Sequence, residues 1–104
     1  MSDRDAQPLV RIPPQIPPRF LHSSDHSGYC HVKFNVSPSG QPFDVATTYC
    51  SSPYLKHATI KSVQKWKYNP KIVNGKPVAR YGVESRITFS VQDERGRILP
   101  FPDE

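Results

Sequence analysis

The residues with obvious chemical potential in this sequence are four histidines and two cysteines. His22 and His26 have the i, i+4 spacing of a helical metal pair, but the residues between them are poor helix formers and Gly28 follows. Neither His31 nor His57 stands with a cysteine or carboxylate at a recognised ligand spacing. We therefore predict no metal site and no bound cofactor.

A cysteine nucleophile with a neighbouring base is conceivable only at Cys30 and His31. Adjacent residues of a strand point to opposite faces of a sheet, so these two side chains do not meet. The sequence also contains no glycine-rich phosphate loop and no Gly-x-Ser-x-Gly elbow. We predict a protein without catalytic residues, and therefore not an enzyme.

The net charge of +5 at pH 7 suits anionic lipid, nucleic acid or an acidic protein surface. The positive residues are scattered, however. Phe34, in the one strand that combines a lysine with aromatic residues, lies on the apolar face of that strand. We therefore predict a solvated surface and no binding of nucleic acid. Because there is no long apolar run and no signal peptide, the chain as given is expected to be soluble, or to be a fragment that lacks an anchor.

Proline divides the chain into three parts. Twelve prolines far exceed the usual share of about 5%, and they cluster near both ends. We predict a flexible polar, proline-rich lead-in at residues 1–18, one folded domain at residues 19–92 and a tail at residues 93–104. One short helical turn is expected after Arg19.

Three segments alternate like half-buried strands. In "YCHVKFNV" the even residues from Cys30 to Val36 are apolar, and "FDVATTYC" returns as the second strand of a hairpin after the turn at residues 37–42. Its imperfect alternation indicates a β-bulge. "VESRITFSV" is the third strand, and a short strand is expected at Arg97–Leu99.

One helix is predicted between the hairpin and the third strand. Ser52 is its N-cap and Pro53 its first residue, and it ends near Asn69, which precedes a proline. The predicted buried stripe of this helix consists of Leu55, Ala58, Thr59, Val63 and Trp66. Its exposed face consists of Lys56, Lys61, Gln64 and Lys65. Asn74-Gly75 indicates a small hairpin.

These elements predict an α+β fold with two layers. A β-hairpin and a third strand form a three-stranded antiparallel sheet, and the helix packs on one of its faces. Such a sheet leaves two edges, and an exposed edge is a template for another strand.

The two cysteines lie in the two strands of the hairpin. If paired residues have numbers that sum to 80, Cys30 faces Cys50, Val32 faces Thr48 and Phe34 faces Ala46. Opposite Cβ atoms are about 4.5–5.5 Å apart, so a disulfide is within reach. A bridge fits an exported protein; the alternative is two buried free thiols.

The sequence resembles the C-terminal domain of the TonB family, the energy transducers of Gram-negative outer-membrane transport. The resemblance covers residues 11–91 and rests on "RIPPQIPPRF", "GYCHVKFNVSPSGQPFDV", "SVQKWKYNPKIVNGKPV" and "YGVESRITFSV". The Trp-Lys-Tyr-Asn-Pro end of the helix and the Ser-Pro-Ser-Gly turn are the most specific parts.

The resemblance implies a periplasmic domain that binds the TonB box, an extended peptide of an outer-membrane transporter in siderophore and iron uptake, by strand addition. The implied partner-binding residues are Gln15, Ile16 and Pro17, and Glu84, Ser85, Arg86, Ile87, Thr88, Phe89, Ser90 and Val91. The first three match a Gln-Tyr-Pro motif in which Ile16 replaces the tyrosine.

The family also uses inner-membrane motor proteins, which draw on the proton gradient through an N-terminal anchor and a long spacer. Neither the anchor nor the spacer is present in the sequence given. This chain is therefore expected to be an excised domain or a shorter relative. The rival interpretation is a stand-alone envelope or sensor domain that forms homodimers through the sheet edge.

Overall fold

The order of elements is β-α-β-β-α-β-β-β-β in the computed structural model, which describes residues 3–23 and 25–102. The strands are β1 (Gln7–Val10), β2 (Gly28–Val36), β3 (Pro42–Cys50), β4 (Lys67–Asn69), β5 (Lys71–Val73), β6 (Lys76–Val78) and β7 (Arg80–Phe89). The helices are α1 (Pro18–Ser23) and α2 (Lys56–Val63), and a 3-10 turn (Pro53–Leu55) leads into α2. The helical turn expected after Arg19 is present as α1.

Antiparallel strands in the order β3-β2-β7 form the main sheet, so the predicted architecture is confirmed. β2 lies at the centre because its even-numbered side chains are all apolar: Cys30, Val32, Phe34 and Val36 are at most 1% exposed. α2 covers this face and contacts β2 and β3. Each fully buried aliphatic or aromatic side chain contributes about 1.5–3 kcal/mol, so this row accounts for much of the core.

The pairing of β2 with β3 agrees with the predicted register only at its first two residue pairs, Cys30 with Cys50 and His31 with Tyr49. Cys30 lies opposite Cys50 as expected, but Val32 pairs with Thr47 rather than Thr48. Ala46 pairs with Lys33, so the predicted contact of Phe34 with Ala46 is also wrong. The register shifts twice, and each shift places an extra residue in β3. The predicted bulge is therefore present, but it occurs twice.

Helix α2 ends earlier than the sequence predicted. It stops at Val63, and the next two turns are tight, with the N–H of Trp66 donating to the Val63 carbonyl. The chain then enters β4, although a helix to Asn69 was expected. The predicted stripe of Leu55, Thr59, Val63 and Trp66 is nevertheless buried, and Ala58 is half-buried. Ser52 caps the 3-10 turn through a hydrogen bond from the N–H of Tyr54.

A strand that the sequence analysis did not predict explains this early end. Gln7–Val10 forms β1, which pairs antiparallel with β4, and Arg4 adds a bridge to Ile72. The prediction of flexible chain throughout the lead-in is therefore wrong for these residues. β1 and β4 are almost sixty positions apart, and local periodicity carries no information about such a pairing.

The remaining strands lie close to their predicted positions. β5 and β6 form the expected hairpin, with positive φ at Asn74 and Gly75. The third main strand, β7, begins at Arg80 rather than Val83. In the tail, Ile98 forms an isolated bridge to Gln92 in place of a regular strand.

The face of the sheet opposite α2 is also partly covered. Tyr29 was expected on the polar side of β2, yet it is 0% exposed. The guanidinium of Arg86 lies 4.4 Å from the centre of its ring, and the rings of His31 and Tyr49 pack beside it. These polar side chains bury an aromatic ring because their apolar and planar parts stack on it.

We expect Gly40→Ala to lower the free energy of unfolding by about 2–4 kcal/mol. Gly40 has φ +87°, and a Cβ there would overlap the carbonyl oxygen of Tyr68. Gly75→Ala is the matched control, since Gly75 has φ +76° and no heavy atom near the added Cβ. It should cost about 1 kcal/mol. Urea denaturation of both variants measures the difference, and equal losses would contradict the close contact.

Candidate functional site

β7 is an edge strand, because β2 is the only described strand that pairs with it in the main sheet. The hydrogen bonds that β2 makes with β3 show which backbone groups of β7 face outward. The carbonyl of Tyr29 accepts a hydrogen bond from the Ser51 N–H (2.9 Å), and that of His31 accepts one from Thr48 Oγ1 (3.4 Å). Both carbonyls therefore point towards β3.

Backbone groups alternate in direction along an antiparallel strand, so Cys30 and Val32 turn theirs towards β7. Their partners there are Ile87 and Ser85. It follows that the N–H and C=O groups of Glu84 and Thr88 point away from β2. Among the residues that the structure describes, no other segment forms a hydrogen bond with them. This outer edge of β7, defined by residues 84–88, can accept an added strand.

Residues 93–102, the part of the tail that the structure describes, do not cover this edge, because they are held at the end of the sheet. Ser27 is fully buried, and its Oγ donates to the Leu99 carbonyl (2.8 Å) and accepts from the Val91 N–H (2.9 Å). The Ser27 N–H donates to the Pro100 carbonyl (2.9 Å), and the Leu99 N–H donates to the Val91 carbonyl (2.7 Å). Both backbone groups of Val91 are thus engaged within the chain, unlike those of Glu84.

Two hydrogen bonds to the Ile12 carbonyl hold this part of the lead-in beside β7. The C=O of Ile12 accepts hydrogen bonds from Ser62 Oγ (2.7 Å) and from Trp66 Nε1 (3.0 Å). The guanidinium of Arg11 lies 4.9 Å from the centre of the Trp66 ring. The single tryptophan therefore both fills the core and fixes the approach of the lead-in.

An open cleft of about 260 Å³ separates this segment from the edge strand. Residues 11–14 and Trp66 line one side, and Arg86, Ile87 and Thr88 line the other. Residues 11–14 are not among the partner-binding residues that the resemblance implies. One signal for them is the indole N–H of Trp66, which needs an acceptor when it is buried.

The two groups of residues nominated from the sequence line different clefts. Gln15, Ile16 and Pro17 line a cleft with α2, and none of them lies among the residues that line the cleft beside β7. Ile16 is half-buried and packs against the core, whereas Gln15 is exposed. On β7 and the two residues after it, the exposed residues are Glu84, Arg86, Thr88 and Ser90, the buried ones are Ile87, Phe89 and Val91, and Ser85 is half-buried.

An ion pair fixes the start of the lead-in to the start of β7. Arg80 Nε lies 2.9 Å from the Asp5 carboxylate. The pKa of Asp5 lies below its ordinary value, chiefly because the Ala6 N–H donates to the carboxylate, and also because of Arg80. The lead-in is thus attached to the domain at Asp5, along β1 and at Ile12.

A disulfide joins Cys30 to Cys50, as the hairpin register predicted, with their Cα atoms 4.1 Å apart. Within residues 3–23 and 25–102, no group of three or more His, Cys, Asp or Glu side chains is placed to hold a metal ion. In the same residues, no helix is long and apolar enough to cross a membrane.

The fold and the edge define a small α+β domain of the kind that serves in protein interactions. Residues 18–91 match the family described as Gram-negative bacterial TonB protein C-terminal, and the chain belongs to that family. This family is periplasmic and not enzymatic. Comparison with the curated proteins gave no significant match.

Two solved structures are similar in fold over most of the chain. The solution NMR structure of the Pseudomonas aeruginosa TonB C-terminal domain has a TM-score of 0.67 and 25% identity, and the match covers 91% of this chain and 95% of that one. The TonB2 protein from Vibrio anguillarum has a TM-score of 0.61 and 26% identity, with coverage of 89% and 88%. The recognised resemblance is therefore confirmed.

We expect the double variant Trp66→Phe with Ser62→Ala to release the lead-in without unfolding the main sheet. The Ile12 carbonyl then loses both donors, at a cost of about 1 kcal/mol for each hydrogen bond. Hydrogen exchange should become faster for the β1 amides that pair with β4, while Val32 keeps its protection. Unchanged exchange in β1 would show that these two bonds do not hold the segment.

Proposed function

We propose that this domain binds the TonB box of an outer-membrane transporter as an added strand along the outer edge of β7. The observation that carries the proposal is the outward direction of the peptide groups of Glu84 and Thr88. Strand addition uses mainly backbone hydrogen bonds, each of which contributes about 1 kcal/mol net. It therefore tolerates transporter peptides with different side chains.

In this proposal the peptide lies in the cleft between β7 and residues 11–14. Pro13 and Pro14 have no N–H groups, so the lead-in offers few donors for a further strand. The cleft then accepts one strand and resists extension of the sheet. Val91 takes no part in this pairing, because its N–H and C=O are engaged by Ser27 and Leu99.

A second contact with the transporter is proposed at Gln15, Ile16 and Pro17, by resemblance to the Gln-Tyr-Pro motif of the family. Ile16 packs against the core, so the exposed Gln15 is the side chain available for that contact. For the whole protein, we propose an inner-membrane anchor that precedes residues 1–18. Motor proteins would pass force derived from the proton gradient through this anchor to the folded domain, residues 19–92.

Alternate N-methylation of a transporter peptide tests strand addition. Two peptides with the same TonB-box sequence carry N-methyl groups on alternate residues, offset by one position. In an added strand, one set of N–H groups faces β7 and the other faces away. We expect one peptide to lose binding and the other to retain it in isothermal titration with the complete chain.

Equal binding of both N-methylated peptides would contradict pairing through the backbone. The unmodified peptide serves as the positive control. The rival proposal, a homodimer through the β7 edge, makes a different prediction: added peptide should convert dimers to monomers in sedimentation analysis. A chain that stays dimeric with peptide bound would place the dimer contact elsewhere.

The disulfide bears on force transmission, because Cys30 lies in the central strand directly opposite Ile87 of β7. In the chain-entropy model, closing this loop stabilises the fold by roughly 3 kcal/mol. We expect reduction of the bridge to lower the unfolding force of the domain in single-molecule pulling. The peptide should still bind at zero load. An unchanged unfolding force would show that the bridge has no mechanical role.

A further inference from the structure

The middle of the chain has an unusual charge distribution. Residues 45–83, which include α2 and β4 to β6, contain seven lysines and arginines and no aspartate or glutamate. Acidic residues from the lead-in reach only one end of this region: Asp5 pairs with Arg80, and Asp3 accepts a hydrogen bond from the Asn74 N–H. The positive charge on α2 is not balanced by these contacts.

Lys61 of α2 and Lys65, two residues after the helix, lie beside a cleft of about 280 Å³. The other wall of this α2 cleft is formed by residues 12–18 and consists mostly of proline and isoleucine side chains. Lys61 and Lys65 are exposed on the helix side, and His57 and Ala58 lie near them. Among residues 3–23 and 25–102, neither Lys61 nor Lys65 pairs with a carboxylate.

We propose that the α2 cleft is a docking site for an acidic, extended segment of a partner protein. Its apolar floor suits an inserted aliphatic side chain, and Lys61 and Lys65 supply the complementary charge for flanking carboxylates. Two positive side chains at an apolar cleft, neither of them neutralised within the described chain, favour an anionic partner with an apolar side chain.

The shape of the cleft favours a peptide over the other polyanions. Single-stranded nucleic acid binds by stacking its bases on aromatic side chains, and no aromatic residue lines the α2 cleft apart from His57. A lipid surface is broad and would meet the exposed lysines, but it would not enter a concave cleft. A segment of protein chain can place a single side chain between the prolines and Ala58.

This site is separate from the β7 edge proposed for the TonB box, although it is lined in part by Gln15, Ile16 and Pro17, where the second transporter contact is proposed. It shares the wall formed by residues 12–14, but it includes no residue of β7. The docking proposal therefore does not depend on binding of a TonB box, and each can fail without the other.

The test uses the complete chain labelled with nitrogen-15 and a short peptide of alternating glutamate and leucine. The same peptide with lysine in place of glutamate is the control probe. We expect saturable amide shifts at His57, Ala58, Lys61 and Lys65 with the glutamate peptide only, and none along β7. Shifts centred on residues 84–88, or equal binding of the lysine peptide, would overturn the proposal.

Charge-reversal variants separate local recognition from general attraction. Lys61→Glu and Lys65→Glu should each weaken binding of the glutamate peptide by about fivefold. Lys76→Glu is the matched control, since Lys76 is exposed on β6, outside the cleft, and the change in net charge is the same. An equal loss in the control would overturn the proposal. The proposal would also be overturned if phosphatidylglycerol vesicles or an oligonucleotide bound at Lys61 and Lys65 more tightly than the glutamate peptide.

Discussion

A β-strand with unsatisfied peptide groups along one side is the constraint on which this structure depends. Buried backbone groups must find partners, but those at a sheet edge can remain in water until another strand arrives. In β7 the groups of Glu84 and Thr88 are in this position, while Ser85 and Ile87 are paired with β2. The rest of the fold keeps the other segments that the structure describes away from that edge.

Two small groups of hydrogen bonds achieve this. At one end, Ser27 uses its side chain and its N–H to hold the tail between β2 and the residues after β7. Along the side, the carbonyl of Ile12 is held by Ser62 and Trp66, so residues 11–14 form a wall that faces the edge. Both segments are close to β7, yet in the described residues neither forms strand pairs with it.

The same wall separates two clefts of different character. On the side of β7 the neighbouring surface offers backbone groups, which recognise an extended chain whatever its sequence. On the side of α2 the surface offers lysines and apolar side chains, which select by charge. A proline-rich segment suits this place because its φ angles are fixed and it supplies few donors that could close either cleft.

Local patterns in the sequence were sufficient for the main sheet. The alternation in β2 and β7, the Asn74-Gly75 turn and the disulfide between Cys30 and Cys50 all depend on neighbours in one strand or one hairpin. The pairing of β1 with β4 was missed because it joins distant segments, and it also ends α2 earlier than predicted.

The candidate site was predictable only in part. The edge residues on β7 came from the family resemblance, because the hairpin and the third strand predict a three-stranded sheet with two edges without showing which strand lies at its centre. The direction of each peptide group on β7 could not be predicted, because it depends on which backbone groups of β2 face β3. The burial of Tyr29 under Arg86 was also unpredictable, since a cation that covers an aromatic ring leaves no periodic pattern.

Hydrogen exchange of individual β7 amides tests the open edge most directly. In the free chain, the amides of Ser85 and Ile87 should be protected by β2, while those of Glu84 and Thr88 exchange quickly. Addition of a transporter peptide should protect the second pair and leave the first unchanged. Strong protection of Glu84 and Thr88 before any peptide is added would show that the edge is already occupied, and would contradict the account.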